Sequence, residues 1–379
     1  MASQKSNQCA SLAAAAAAAA SAASSSSQLN PVSTTASFTE RIRSDDPTLW
    51  FLKLYQAPLD HFEYFSEFVE AIKCNRSITH VEVTWRFLRG LKDFARISLL
   101  QTVGTLPRLV EFALEGVGPT AVLTVALQNA GNLKSLRVGK LRFSSNQDVL
   151  ELANSFRHCT SLQQLSLSSI QVTIEGSHRV DAEGMVWFDE NRSNTEKIQL
   201  DPIFEAVATI PTLVHIQLQH CLNDSRVQPL NDRSLQLLCH APRKSLVLNA
   251  CGLTDEKCFV IADELKHNDN PLASLVVTRN YQVTGLGWDA FVKMLSANCY
   301  IVDMHTGAEG QTNEPSIEVR AKMDYFLKLN RAGRGKLLLQ GKNHSKEEWL
   351  EFIIRRSYDI DIVFFALQTN PILCSAYSS

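Results

Sequence analysis

Nine cysteines and ten histidines are the side chains of this 379-residue sequence best able to act as nucleophiles, bases or metal ligands. Their spacing gives them no such work. No two cysteines stand as C-x-x-C and no two histidines as H-E-x-x-H, the arrangements that bring two ligands to one ion. Gly333, Gly335 and Lys336 in RAGRGKLL lack the gap that lets a glycine-rich loop wrap a phosphate. No G-x-S-x-G lifts a serine onto a strained turn. The sequence therefore predicts no catalytic residue, no metal site and no cofactor. An odd number of thiols scattered along a long chain reads as a reduced compartment rather than a disulfide framework.

The other residues that could act would do so by recognition, and a repeat positions them. The element L-x-x-L-x-L recurs at Leu49-Leu52-Leu54, Ile78-Val81-Val83, Leu109-Phe112-Leu114, Leu133-Leu136-Val138, Leu162-Leu165-Leu167 and Leu213-Ile216-Leu218. A seventh copy has Leu246 and Leu248, with Arg243 in place of the first apolar residue. Leu272-Leu275-Val277 and a degenerate Ile301-Met304-Thr306 follow. The first positions are separated by 29, 31, 24, 29, 51, 30, 29 and 29 residues. Five of these eight intervals are 29 or 30, a regularity that chance alternation would not keep, and the 51 reads as one repeat carrying an insertion.

Alternating L-x-L is a short strand with its aliphatic side chains on one face. Stacked copies make a parallel sheet, and each parallel connection needs a crossover, usually a helix. DEKCFVIADELKHND supplies one: acids at Asp255 and Glu256, Lys266 and His267 at its end, and an apolar stripe of Phe259, Ile261, Ala262 and Leu265. GWDAFVKMLSANC and DVLELANSFRHC look alike. Helices are wider than strands, so the array must curve with its strands on the concave side.

Units of 28 or 29 residues reading L-x-x-L-x-L-x-x-N/C-x-L resemble the ribonuclease-inhibitor-like leucine-rich repeats. Cys221, Cys251 and Asn280 occupy the N/C position, spaced by 30 and 29. Earlier copies depart, with Ala57, Arg86, Val117, Leu141 and Ile170 there. The resemblance covers roughly residues 39 to 306. It implies an α/β fold: a right-handed horseshoe solenoid with a concave parallel sheet, convex helices and a helical C-terminal cap. The C-terminal MDYFLKLNRAGRGKLL, with Trp349 and TNPILC, resembles the tail of leucine-rich-repeat proteins of diatoms, which carries over no activity.

The expected recognition surface is the concave face, made of the x positions of each strand. These are His80, Glu82, Thr84, Glu111 and Glu115 early, Arg137, Gln164, His215, Gln217 and Gln219 in the middle, and Asn249, Thr278, Asp303 and His305 late. Hydrogen-bonding side chains without reactive pairs suit a protein partner. The insertion, about Gln171 to Asp201, adds Trp187 and Phe188 in GMVWFDEN, either as a second contact or folded back on the solenoid.

Apolar residues make up 45% and charged residues 20%, with a formal charge of -2. That balance points away from nucleic acid and from an anionic membrane as main partner, and no apolar run outside the alanines reaches about 18 residues. Three parts are expected: an Ala/Ser-rich segment 1–38, the repeats 39–306, and a cap 307–379. The first part holds Ala13 to Ala20 and reads either as a disordered tail or as a targeting peptide. In the cap, helices are expected over Ile317 to Asn330, from Ser345 with a Ser345/Glu348 capping box, and after Asp359. The cap region is basic, and amphipathic helices with solvated bases account for that. Four N-x-S sequons (Asn75, Asn191, Asn223, Asn343) matter only in a secretory compartment.

The function expected is a non-catalytic scaffold, cytoplasmic or nuclear, binding another protein. The alternative comes from the resemblance: Ran GTPase-activating proteins share this repeat type and place an arginine after an early strand, where Arg86 stands here in VTWRFLRG. Such an arginine finger would stabilise charge on a transferring phosphoryl group.

Overall fold

The computed structural model describes residues 35–55, 65–172, 178–180, 186–188, 197–221, 227–228, 230–240, 243–267, 271–307, 314–335 and 345–369. All nine copies of the repeat element form strands: β1 (Phe51–Leu54), β2 (His80–Thr84), β3 (Glu111–Pro119), β4 (Ser135–Phe143), β5 (Gln164–Val172), β8 (His215–Gln219), β9 (Ser245–Asn249), β10 (Ser274–Val276) and β11 (Asp303–His305). They pair in chain order into one nine-stranded sheet in which every pairing is parallel. The middle aliphatic positions fall into one unbroken row: Leu52, Val81, Phe112, Leu136, Leu165, Ile216, Leu246, Leu275 and Met304 are each in register with the next. All are buried. The 29-residue period is thus a structural register, and the chain is an α/β leucine-rich-repeat solenoid.

Two backbone N–H groups enter each new strand by sharing one carbonyl of the repeat before. Thr79 and His80 share that of Trp50, Val110 and Glu111 that of Thr79, and Val302 and Asp303 that of Ala273. This bonding needs no particular side chain, which is why the period survives where the consensus fails.

The crossovers are helices α1 (Thr35–Arg43), α2 (Phe65–Cys74), α3 (Trp85–Arg89), α4 (Asp93–Gly104), α5 (Thr120–Leu127), α6 (Asn146–His158), α7 (Asp201–Ala208), α8 (Asp232–His240), α9 (Asp255–Leu265) and α10 (Gly285–Ala297). α1 begins upstream of Phe38, where the sequence reading set its boundary. The stripe expected on α9 needs one correction. Phe259 is exposed, and Cys258 takes the inward place with Ile261, Ala262 and Leu265. Those four positions, i, i+3, i+4 and i+7, are the face a 3.6-residue period turns to the core.

Arg243, the one departure from the aliphatic first position, is fully buried. Its guanidinium donates from Nε to Leu238 O at the end of α8 (3.0 Å) and from Nη1 to Leu213 O of the previous repeat (3.5 Å). The cation meets carbonyls at the negative end of a helix.

Beyond β11 stand α11 (Ile317–Arg331), α12 (Lys346–Arg355) and α13 (Ile360–Thr369). Ser345 and Glu348 form the expected capping box at α12. α11 closes the array by supplying what another repeat would. Asn330 Nδ2 donates to Asn298 O and Ile301 O, and Arg331 Nε donates to Val302 O. Arg334 donates to Leu295 O and Asn298 O. The insertion leaves the sheet after Val172; Ile198 makes an isolated bridge to Val227, and the sheet resumes at β8. It contains an antiparallel pair, β6 (His178–Val180) and β7 (Val186–Phe188).

Candidate functional site

On the concave face the outward rows are also in register. One runs Phe51, His80, Glu111, Ser135, Gln164, His215, Ser245, Ser274, Asp303. The next runs Lys53, Glu82, Ala113, Arg137, Ser166, Gln217, Val247, Val276, His305. Nine of the predicted residues lie in these rows; Thr84 pairs with Glu115 and Gln219 with Asn249 one step further along, Thr278 lies past the end of β10, and they do different things.

The first four strands carry a connected cluster. Trp50 is 51% exposed; its ring stacks on Phe51 and meets the edge of His80 at 5.0 Å. His80 Nδ1 lies 2.8 Å from Thr79 Oγ1, and its Nε2 is 3.7 Å from Glu111. Glu111 also takes Arg137 Nη2 at 2.6 Å. Lys53 lies over the Tyr55 ring at 4.4 Å and 3.4 Å from Glu82. Glu82, expected to be presented, is only 7% exposed and accepts the Tyr55 hydroxyl at 2.9 Å. Thr84 is likewise occupied: its hydroxyl donates to Tyr55 O at 2.7 Å and accepts Phe87 N–H, capping α3. Trp50, Phe51, Lys53 and Tyr55 are the residues the sequence reading passed over. The signal was present, since Phe51 and Lys53 are the x positions of the first copy.

The middle is quieter. Gln164 is exposed, and Gln217, Gln219 and Thr278 are half-buried. Burial, then the positive charge of Lys244, lowers the His215 pKa, so its imidazole is neutral at neutral pH. Asn249 is half-buried. At the far end His305 Nε2 is 3.3 Å from Asp303, whose carboxylate accepts Ser274 Oγ and lies 3.8 Å from Arg331 of α11. Glu115 is exposed, as is Arg86 on α3, the residue the GTPase-activating alternative needs. Trp187 and Phe188 lie on β7 with Trp187 opposite Arg179 along the backbone; their side chains fall outside the described residues.

Five buried cysteines are chemically quiet. Burial pushes the thiols of Cys159, Cys239, Cys251 and Cys258 up to about 12, and that of Cys221 well above its ordinary value. A thiol held protonated is neither nucleophile nor ready ligand. Cys221 and Cys251 instead donate to backbone carbonyls, Leu167 O and Gln219 O from the first, Leu218 O and Asn249 O from the second. Among the described residues no three His, Cys, Asp or Glu groups gather as metal ligands, and no helix is long and apolar enough to cross a membrane. The sequon residue Asn75 is buried with its amide nitrogen on Ile42 O, so it offers no acceptor; the other three sequons lie outside the described residues.

No family model and no curated protein sequence matches the chain. Among solved structures it is similar to the tropomodulin C-terminal domain of Caenorhabditis elegans, at 11% identity over 54% of this chain and 90% of that one, with a TM-score of 0.26. The leucine-rich-repeat-containing protein LegL7 of Legionella pneumophila gives 13% identity over 73% and 82%, with a TM-score of 0.39. TLR13, in its complex with ssRNA13, gives 14% identity over 62% of this chain and 32% of that one, with a TM-score of 0.34. The nine-strand register within this chain is that of a leucine-rich-repeat solenoid fold.

Proposed function

We propose that this protein is a non-catalytic scaffold that binds a protein partner across the concave face of its sheet, anchored at the N-terminal four strands. The observation that carries this reading is the cluster of Trp50, Phe51, His80, Glu111 and Arg137. Trp, Tyr and Arg dominate binding energy where they sit together, because a large rigid ring and a forked cation both gain by losing water. Here the ring is half exposed while its neighbours hold it in one place, so little order has to be gained on binding. The Arg137–Glu111 pair is exposed on the cation's side and adds orientation more than affinity.

The test is affinity capture from native lysate with the full chain as bait, beside a Trp50→Ala/Arg137→Glu bait and a Gln217→Ala/Thr278→Ala bait. A protein kept by the last and lost from the first is the expected result. Equal recovery from all three would move recognition off the concave face. No recovery from any would remove the scaffold reading.

A further inference from the structure

The concave cluster does not use the cations along the carboxyl ends of the early strands. β4 continues past its repeat element to Phe143 because Leu141, at the N/C position, is apolar and buried. That continuation turns Lys140 and Arg142 outward, both exposed, two residues apart on one face. Register sets Lys140 opposite Val117 and Arg142 opposite Pro119 of β3. Beside β3 lies α3, whose Phe87 and Leu88 are buried while Arg86 and Arg89, three apart, are exposed on one side. The Trp85 ring fixes that helix: it lies so close over Gly118 that a Cβ there would meet it at 3.1 Å, and the Arg96 guanidinium sits 5.1 Å from its centroid.

Nearby Arg137 is tied to Glu111 and Arg96 to Leu88 O and Leu91 O, as Lys328 is to Asp359 and Asp361 in the cap. Arg86, Arg89, Lys140 and Arg142 have neither ion pair nor side-chain hydrogen bond among the described residues. Four like charges stand on α3 and β4, each of which packs against β3, and raise a local positive potential in a chain of formal charge -2.

We propose that this rim binds an acidic segment of the partner protein in extended conformation; the assignment rests on the scaffold reading and names the chemistry of what is bound. In an extended chain alternate side chains lie about 6.6 Å apart on one side. That is the spacing of Lys140 and Arg142, so carboxylates at alternate positions meet both. Nucleic acid fits less well. A single strand wants aromatic faces for its bases, and the rim's aromatic, Trp85, is already covered by Gly118 and Arg96.

The probe is a fluorescein-labelled decapeptide of alternating glutamate and serine, its anisotropy read against the full chain at about 20 mM and about 150 mM salt. Binding at the lower salt that weakens about tenfold in Lys140→Glu/Arg142→Glu, and similarly in Arg86→Glu/Arg89→Glu, is expected. Arg233→Glu/Lys293→Glu, with the same charge change on the convex helices α8 and α10, should alter it less than about twofold. Far-ultraviolet circular dichroism checks that each variant folds. An equal loss in the convex variant would reduce the effect to net charge and overturn the assignment, as would no binding at about 1 mM peptide. Tighter binding of a decamer of uridylate, lost in the same variants, would hand the rim to nucleic acid. Trp50→Ala, which changes no charge, is expected to keep the peptide, so a failed concave face and a failed rim give different results.

Discussion

Repeats three to five and repeats six to eight stack in the same strand register and end their strands in opposite ways. β4 and β5 run nine residues each; β8 and β9 run five and β10 three. The difference sits at one position, three residues after the last inward aliphatic. Leu141 and Ile170 are there in β4 and β5, buried, and the strands run on to Phe143 and Val172. Cys221, Cys251 and Asn280 are there in the later repeats. Each turns its polar group onto backbone carbonyls, and the residue just before each, His220, Ala250 or Arg279, has a positive φ of 50° to 60°. An apolar side chain at this position has only the core to satisfy, and the chain can stay extended. A polar one must find backbone partners, and finding them bends the chain out of the sheet. The long early strands carry Lys140 and Arg142; the later turns present no such extension.

The sharpest way to break this comparison is to exchange the two residue types. Leu141→Asn puts an amide where nothing waits to pair with it, and about 4 kcal/mol of stability is expected to go, from lost apolar burial plus an unsatisfied polar group. Urea denaturation gives the loss. Hydrogen exchange should show protection failing first at Lys140 to Phe143; uniform protection would mean that strand length is not set by this residue. Asn280→Ala is the converse. Asn280 accepts Cys251 N–H (2.9 Å) and Leu253 N–H (3.2 Å) and donates to Leu248 O and Val277 O. Its loss should cost about 3 kcal/mol, with exchange quickening at the amides of Cys251 and Leu253.

The helical side of the later repeats is joined by acids, which gives a pH test. Burial alone would raise the Asp255 pKa, but hydrogen bonds from the Thr284 hydroxyl and N–H (2.7 Å) and from Gly287 N–H (3.1 Å) bring it below its ordinary value. A carboxylate with a depressed folded pKa contributes stability that is present above its unfolded value, near 3.8, and lost as pH falls through the folded one. Urea midpoints should therefore drop below about pH 4, and Asp255→Asn should flatten that fall. An unchanged slope in Asp255→Asn would place the acid sensitivity in other carboxylates, Asp45, Asp148 and Asp359 being similarly lowered. The smallest effect is a gain. Arg279 is exposed with φ 60°, so Arg279→Gly should add about 0.5 kcal/mol by removing backbone strain. A loss in thermal denaturation would show that its side chain matters more than its backbone.

Much of the candidate site was legible because period two has only two faces. Once Val81 and Val83 point inward, His80 and Glu82 must point outward, and the row from His80 to Asp303 follows from register. Whether an outward residue is available was not legible. Glu82 lies under the Tyr55 hydroxyl and Lys53, and the Thr84 hydroxyl is spent on Tyr55 O, because their partners come from a repeat about 30 residues away. Such partners leave no local signature.

The sequence by itself determined the period, the parallel order of the strands, the inward rows and the capping box at Ser345, since each follows from residue type at a fixed local spacing. Tertiary structure alone decided three things. It set how far each strand runs past its repeat element, and it made Arg243 a buried cation held by carbonyls of two repeats. It also decided which outward charges are neutralised and which, like Lys140 and Arg142, have no partner among the described residues. In each case the energy of a polar group depends on whether a partner from a distant repeat reaches it before water does.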